Sequence, residues 1–319
     1  MPFLPRFLLL ILFPAFALAQ PFPSKPVKII VPYPPGAVTD TLPRMVADKL
    51  REQWGQPVVV ENRPGASGRI GTDAVAKSAP DGYTLALGIV DTVVTAPYLV
   101  KNLPYDPVKD LVPVTMLARQ SYVLVARQDL QANSAAELVK YARANPGKLR
   151  FGSWGLGSGA HLAMEMLKAA SGANLEHVPY KGSAAVTIGL LAGETDVTFS
   201  GYSALLPHVK AGKLKVLGRA ALQRMPITPD VPTIAEQGFP GFEVQAWYGL
   251  FAPAQTPRAI VDQVQGGAAK ALASPDIRAR LDAFYVEPVG DTPEAFGKVV
   301  AEERARWSKL IQSLNIEME

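Results

Sequence analysis

The chain contains no cysteine. It can therefore form no disulfide, no thiolate metal site and no thiol nucleophile, and a lipid anchor on an N-terminal cysteine is excluded. Histidine is scarce: His161, His177 and His208 are the 3 in 319 residues, and they show neither metal-ligand spacing nor an HExxH pattern. Charge is sparse too, at 19% of residues with a net charge of +4. That excess falls short of the clustered basic face of a nucleic-acid binder. The densest basic run, residues 208–224, interleaves no aromatic for base stacking and reads as solvated surface. Apolar runs long enough to span a membrane are also lacking.

What is present begins with an export signal. Arg6 precedes an apolar stretch over residues 7–13, Pro14 interrupts it, and Ala17-Leu18-Ala19 forms a small-x-small cleavage site before Gln20. Residues 1–19 read as a cleaved signal peptide. An exported chain has no cytosolic ATP or NAD to use, which weighs against cofactor enzymes. No cofactor or metal is expected.

The mature chain is organised around a strand, a glycine-rich turn and a helix over residues 149–168, LRFGSWGLGSGAHLAMEMLK. Its glycines let backbone N–H groups converge on one spot. Ser158 is placed to cap the helix that follows. Such a turn, at the positive end of a helix, is an anion site without a cationic side chain. Residues 27–50 hold a second such unit, in which Pro34 and Pro35 stiffen the turn, and Gly36 and Ala37 present amides. Thr39 or Asp40 is expected to cap its helix, with Pro43 in the first turn. The two turns are expected to face each other with a carboxylate between them.

Strands alternate with helices through residue 95, which implies βαβ units and a mostly parallel sheet. Ligands in such sheets sit beyond the carboxyl ends of strands. Asp91 and Thr92 lie at one such end, and Ser153, Gly182 and Ser200 at or near others. Residues 98–114 are proline-spotted and read as irregular. Residues 115–126 read as a long strand crossing to a second lobe, and residues 243–252 as the strand that returns. Ser134 and Glu137 form a capping box, and Thr256-Pro257 is expected to start a helix. On the last helix, Glu302 and Arg306 are spaced as an i,i+4 pair. The class is α/β with two lobes and a cleft between them, joined by two crossover strands. Lobe 1 comprises residues 20–116 and 246–319, and lobe 2 residues 117–245.

Enzyme motifs mostly fail. Gly155-x-Gly157-x-x-Ala160 formally fits a dinucleotide fingerprint, but Glu176 stands at the start of the next strand rather than its end. Gly201-Tyr202-Ser203-Ala204-Leu205 lacks the last glycine of a nucleophile elbow. Several residues carry two readings. Asp40 either orders its turn or meets a ligand donor. Arg69 pairs with a ligand carboxylate or is an exposed loop residue. His161 is a neutral cleft imidazole or a polar residue at a helix start. Trp247 and Tyr248 wall the ligand or pack the hinge. Trp154, within the glycine turn, is expected to line the cleft.

The blocks VPYPPGAVTD, NRPGASGRIG, APDGYTLALG, YDPVKDLVPV, FGSWGLGSGAHLAMEML, VPYKGSAAV and AWYGLFAPAQTP occur in order. Together they resemble the substrate-binding receptors of tripartite tricarboxylate transporters, the Bug or TctC-type family, across essentially the whole mature chain. The resemblance implies a type II periplasmic-binding-protein fold and a small carboxylated ligand handed to a two-subunit integral membrane permease. It places the ligand carboxylate against Tyr33, Pro35, Gly36, Ala37 and Asp40 in the first turn. In the second it implicates Ser153, Trp154, Gly157, Ser158, Gly159 and His161. The family usually shows Pro-Gly-Gly where this chain has Pro35-Gly36-Ala37, and often a small residue in place of Trp154. A bulky indole there argues against a tricarboxylate and for a smaller mono- or dicarboxylate, an aromatic acid or an amino acid. Asp91, Thr92, Trp154 and Trp247 are the expected selectors. A monomer is expected. Two other functions share these features: a ligand sensor docking on a receptor, and an exported serine hydrolase.

Overall fold

The computed structural model describes residues 21–314; the signal-peptide reading of residues 1–19 lies outside them. The first lobe starts from β1 (Val27–Val31), whose VKIIV sequence is buried at four of five positions. It pairs in parallel with β2 (Val58–Asn62) and β3 (Thr84–Gly88). Continuous β-branched and apolar runs of this kind suit a sheet covered on both faces. Between β1 and β2 lies α1 (Val38–Trp54), which Gly55 ends in the left-handed conformation.

Two strands carry the chain between lobes. Strand β4 (Leu111–Arg127) is 17 residues long, and β9 (Gln245–Pro253) runs antiparallel beside it. The first half of β4 pairs with β9. Its second half pairs with β7 (Val197–Gly201) and β8 (Leu214–Arg219) of the second lobe. There β5 (Arg150–Ser153) lies parallel to both β7 and β6 (Glu176–Pro179). The strand order is β2-β1-β3-β9-β4-β7-β5-β6, and β8 and the short β10 (Glu287–Pro288) also pair with β4.

Helices follow the strands. They are α2 (Arg69–Ala76), α3 (Ala96–Leu99), α4 (Ala135–Ala144), α5 (Gly159–Ser171), α6 (Ser183–Ala192) and α7 (Tyr202–Lys210). After the return strand, α8 (Arg258–Leu272), α9 (Pro275–Ala283) and α10 (Pro293–Leu314) pack back on the first lobe. Phe296 of α10 stands edge-on to Trp247 of β9, their rings 5.1 Å apart. It also lies where a Cβ on Gly249 would be 2.2 Å from its ring, so only glycine fits there. No helix among the described residues is long and apolar enough to cross a membrane.

Several local expectations are corrected. The cap of α1 is Ala37, not Thr39 or Asp40, and Pro43 lies in the helix interior, past the first turn. The N-terminus shifts because Asp40 reaches back to accept the Gly36 amide at 3.1 Å, which closes the turn just before Ala37. Helix α2 begins at Arg69 because the residues before it close a 3₁₀ turn, Ala66–Gly68. The irregular stretch contains the end of α3 and the start of β4. Glu137 accepts the Asn133 amide, one residue before the Ser134 cap. Thr256 bonds the Pro253 carbonyl at 2.7 Å, leaving Pro257 to start α8 uncapped by a side chain. Arg306 pairs with Glu303, three positions before it, and Glu302 is 3.8 Å from Lys298, one turn before it. The basic run is not all solvated: Leu214, Leu217 and Arg219 are buried.

Candidate functional site

A cavity of about 820 Å³ opens between the lobes, within the range of small-molecule sites. The first lobe supplies Tyr33 to Thr39 after β1, Ile89 to Asp91 after β3, and Phe284 after α9. The crossing strands supply Gln120 and Tyr122 from β4, and Ala246, Trp247 and Tyr248 from β9. The second lobe supplies Trp154, the α6 start at Gly182 to Ala184, and Ser200, Gly201, Ser203 and Ala204 where β7 turns into α7. Aromatic rings make much of this wall.

Three helices begin on it: α1 at Ala37, α6 at Gly182 and α7 at Gly201. No side chain among the described residues caps any of the three. Each leaves first-turn N–H groups without an intrahelical partner, at the positive end of the helix. By contrast, Ser134 caps α4 and Ser158 caps α5. The cavity thus attracts an anion although its lining includes no lysine, arginine or histidine.

Among the described residues, Asp91 is the single carboxylate on the wall. Burial raises its pKa to about 6, against the Trp154 side chain and the amides of Asp91 and Gly159, which favour the ion. Burial first, and then the Asp91 charge, push the phenols of Tyr33 and Tyr122 well above the usual tyrosine range. Gln120 Nε2 donates to the Tyr248 hydroxyl, while Gln120 Oε1 and Trp247 Nε1 are buried without a hydrogen-bond partner among the described residues. An unmet buried polar atom costs about 1–3 kcal/mol.

The expected site residues divide in two. Tyr33, Pro35, Gly36, Ala37, Asp91, Trp154, Gly182, Ser200 and Trp247 line the cavity. Asp40, Thr92, Ser153, Gly157, Ser158, Gly159 and His161 stand behind its wall. Asp40 holds the first turn from below, accepting Gly36 N, Arg44 Nε at 2.9 Å and Asn62 Nδ2 at 2.9 Å. Burial alone would raise its pKa, but these donors outweigh it and hold the carboxyl below the usual range. The Gly36 N–H, expected to face the ligand, is therefore committed to Asp40.

The second turn faces inward for steric and hydrogen-bonding reasons. A Cβ on Gly157 would stand 2.2 Å from Leu99 Cδ1, and one on Gly159 2.5 Å from the Tyr122 hydroxyl. His161 Nδ1 accepts the Gly157 amide at 3.1 Å. The His161 ring stacks on His177 with centroids 4.2 Å apart. Burial pushes His161 down to about 3, with His177 and Lys168 adding to the effect. Burial is the first cause of its neutrality. Ser153 Oγ is 2.7 Å from His177 Nε2, a pairing that resembles a nucleophile and its base, but Ser153 is fully buried and off the cavity wall.

The sequence reading passed over Gln120, Tyr122, Ser183, Ala184, Ser203, Ala204 and Phe284. A polar Gln120 within an apolar crossing strand was the visible signal for one of them. The starts of α6 and α7, each at the carboxyl end of a strand, were the signal for four more.

Fold and cavity together define a two-lobed solute-binding protein of the periplasmic type. Residues 42–316 match the model of the tripartite tricarboxylate transporter family receptor, and the chain belongs to that family. It is 40% identical over 291 residues to a UPF0065 protein from the tcbD-tcbE intergenic region of Pseudomonas sp. (strain P51), covering 91% of this chain and 86% of the relative. It is 37% identical to BugT of Bordetella pertussis, covering 92% and 90%. Among solved structures, R. palustris Rpa4515 with adipate superposes with a TM-score of 0.85 at 35% identity, over 93% of this chain and 100% of that one. MatC from Rhodopseudomonas palustris with bound malate gives 0.80 at 33%, over 91% and 100%. The family is one of receptors, not enzymes, and the hydrolase reading is set aside.

Proposed function

We propose that this receptor captures a small organic acid between its lobes and delivers it to a two-subunit integral membrane permease. The observation that carries the reading is the convergence of three uncapped helix starts, at Ala37, Gly182 and Gly201, on one aromatic-walled cavity. The carboxylate lies against first-turn amides. The body of the ligand packs on Tyr33, Tyr122, Trp154, Trp247 and Tyr248. An apolar or aromatic mono- or dicarboxylate, or an amino acid, fits such a wall better than a compact tricarboxylate. Residues 1–19 act as the export signal. Lobe 1 comprises residues 20–116 and 246–319, lobe 2 residues 117–245, and the receptor works as a monomer by closing about the crossing strands. The adipate and malate carried by two related structures support a carboxylate ligand.

The test is calorimetry on residues 20–319 against organic acids of graded size. Micromolar binding corresponds to about −8 kcal/mol, and ligand at a hundred times Kd raises apparent stability by about 2.7 kcal/mol. Protein freed of co-purified ligand that answers to no acid of any size would overturn the reading. Capture of the permease subunits from membranes checks delivery.

A further inference from the structure

The charge pattern of the cavity separates this receptor from a simple dicarboxylate binder. Among the described residues that line it, Asp91 is the one side chain charged at neutral pH. Asp91 opens the π-helical turn Asp91–Thr95 of the first lobe and is partly open to the cavity. Across the cleft it meets the Trp154 side chain and the Gly159 amide at the start of α5. The positive end of α5 is thus already matched by the protein's own carboxylate and is not free for a ligand's.

We propose that Asp91 determines specificity, selecting acids that combine one carboxylate with an ammonium or hydroxyl donor and rejecting dicarboxylates. This rests on the carboxylate-receptor reading above. One carboxylate is accommodated by the uncapped starts of α1, α6 and α7. A second meets the like charge of Asp91 in a cavity where solvent screens poorly. A donor group finds the opposite. An ionised carboxylate is an acceptor only, with about four lone-pair sites, and Asp91 has more acceptor capacity than its protein donors use. Gln120 on the same wall adds no cation, its amide nitrogen being held by Tyr248. A carboxylate acceptor and no cation describe a subsite for a donor.

The experiment is calorimetric titration of the mature receptor at neutral pH with two matched series. The first is caproate, its alpha-hydroxy, alpha-amino and omega-amino derivatives, and adipate. The second is phenylpropionate, phenyllactate, phenylalanine and benzylsuccinate. In at least one series a donor-bearing acid binds about tenfold or more tighter than its parent, and the dicarboxylate binds most weakly. The isosteric Asp91→Asn removes the preference for ammonium and improves dicarboxylate binding. A dicarboxylate that binds wild type best overturns the assignment, whether or not the variant folds, and so does an unchanged ranking in a folded Asp91→Asn. Binding of acids in the wrong order overturns Asp91 alone. Binding of none overturns the carboxylate reading itself, and this assignment with it.

Discussion

The carboxylate of Asp40 accepts the main-chain N–H of Gly36, with 3.1 Å between Oδ2 and nitrogen. The contact turns the first ligand-facing turn into a closed unit. Gly36 sits at φ 106°, a conformation that an L side chain rarely adopts. Asp40 holds it there while Arg44 and Asn62 hold Asp40. Asp40→Ala is expected to lower stability by about 2 kcal/mol and to weaken acid binding by loosening Ala37 and the α1 start. Urea unfolding and calorimetry together check it; unchanged affinity in a folded variant would show that the turn holds its shape without Asp40. The group's depressed pKa gives the sign with pH. Its contribution is present above the ordinary carboxyl range and is lost as pH falls through the folded value.

The buried imidazole pair gives a second pH effect. His161 is pushed down to about 3, and His177 to about 4 through burial and Lys168. In the unfolded chain both titrate near 6.5. From about pH 6.5 downward the unfolded chain therefore binds more protons, and stability falls with pH until the folded values are reached. Each group costs up to about 1.4 kcal/mol per pH unit in that window, less for the half-exposed His177. Asp91 acts the other way between about 3.8 and about 6, since its folded pKa is raised; the neutral phenols of Tyr33, Tyr122 and Tyr248 around it do not titrate there. One carboxyl offsets only part of two imidazoles. Denaturation midpoints at about pH 7 and about pH 5 are expected to differ, and His177→Phe to reduce the difference.

Much of this architecture was legible. The VKIIV run, the Ser158 cap, Gly55 and the two long crossing strands follow from local rules of period, capping and left-handed glycine. What local rules could not supply was direction. The glycines of residues 152–161 read as a ligand cradle, and nothing local shows which way the turn faces. Leu99 and Tyr122, distant in sequence, decide for packing at Gly157 and Gly159. Likewise Asp40 had a cap's chemistry at the N3 position of its helix, and only the closed turn shows that its partner is Gly36. Asp91 was legible as a strand-end residue, but its place opposite α5 depends on how the lobes meet.

Gly157→Ala tests that packing directly. The residue sits at φ 72°, and a methyl there would collide with Leu99 Cδ1. Left-handed strain costs about 1–2 kcal/mol and overpacking about 1–3, so a loss of about 2–5 kcal/mol is expected. Pairing it with Leu99→Ala separates the two parts. The double variant should recover the collision but not the strain, giving a favourable coupling of about 1 kcal/mol or more. Strict additivity would mean that Leu99 simply moves aside.

Trp154 is the one residue of the second turn that reaches the cavity, and it stands edge-on to Tyr122 with centroids 5.7 Å apart and planes at 65°. Because it is only half-buried, Trp154→Ala is expected to cost about 1–2 kcal/mol of stability, below the range for a fully buried indole. Its larger effect falls on recognition. The wall recedes, so acids that pack on the indole lose affinity, about tenfold for an aromatic body, while bulkier acids gain entry. Asp91 also loses a donor to its ion, which by itself raises its pKa. A donor-bearing ligand is then held less well at neutral pH, and raising the pH restores part of the loss. Titrations of phenylpropionate and phenylalanine across pH distinguish the two contributions. Loss from packing is the same at every pH, whereas loss through Asp91 shrinks as that carboxyl ionises.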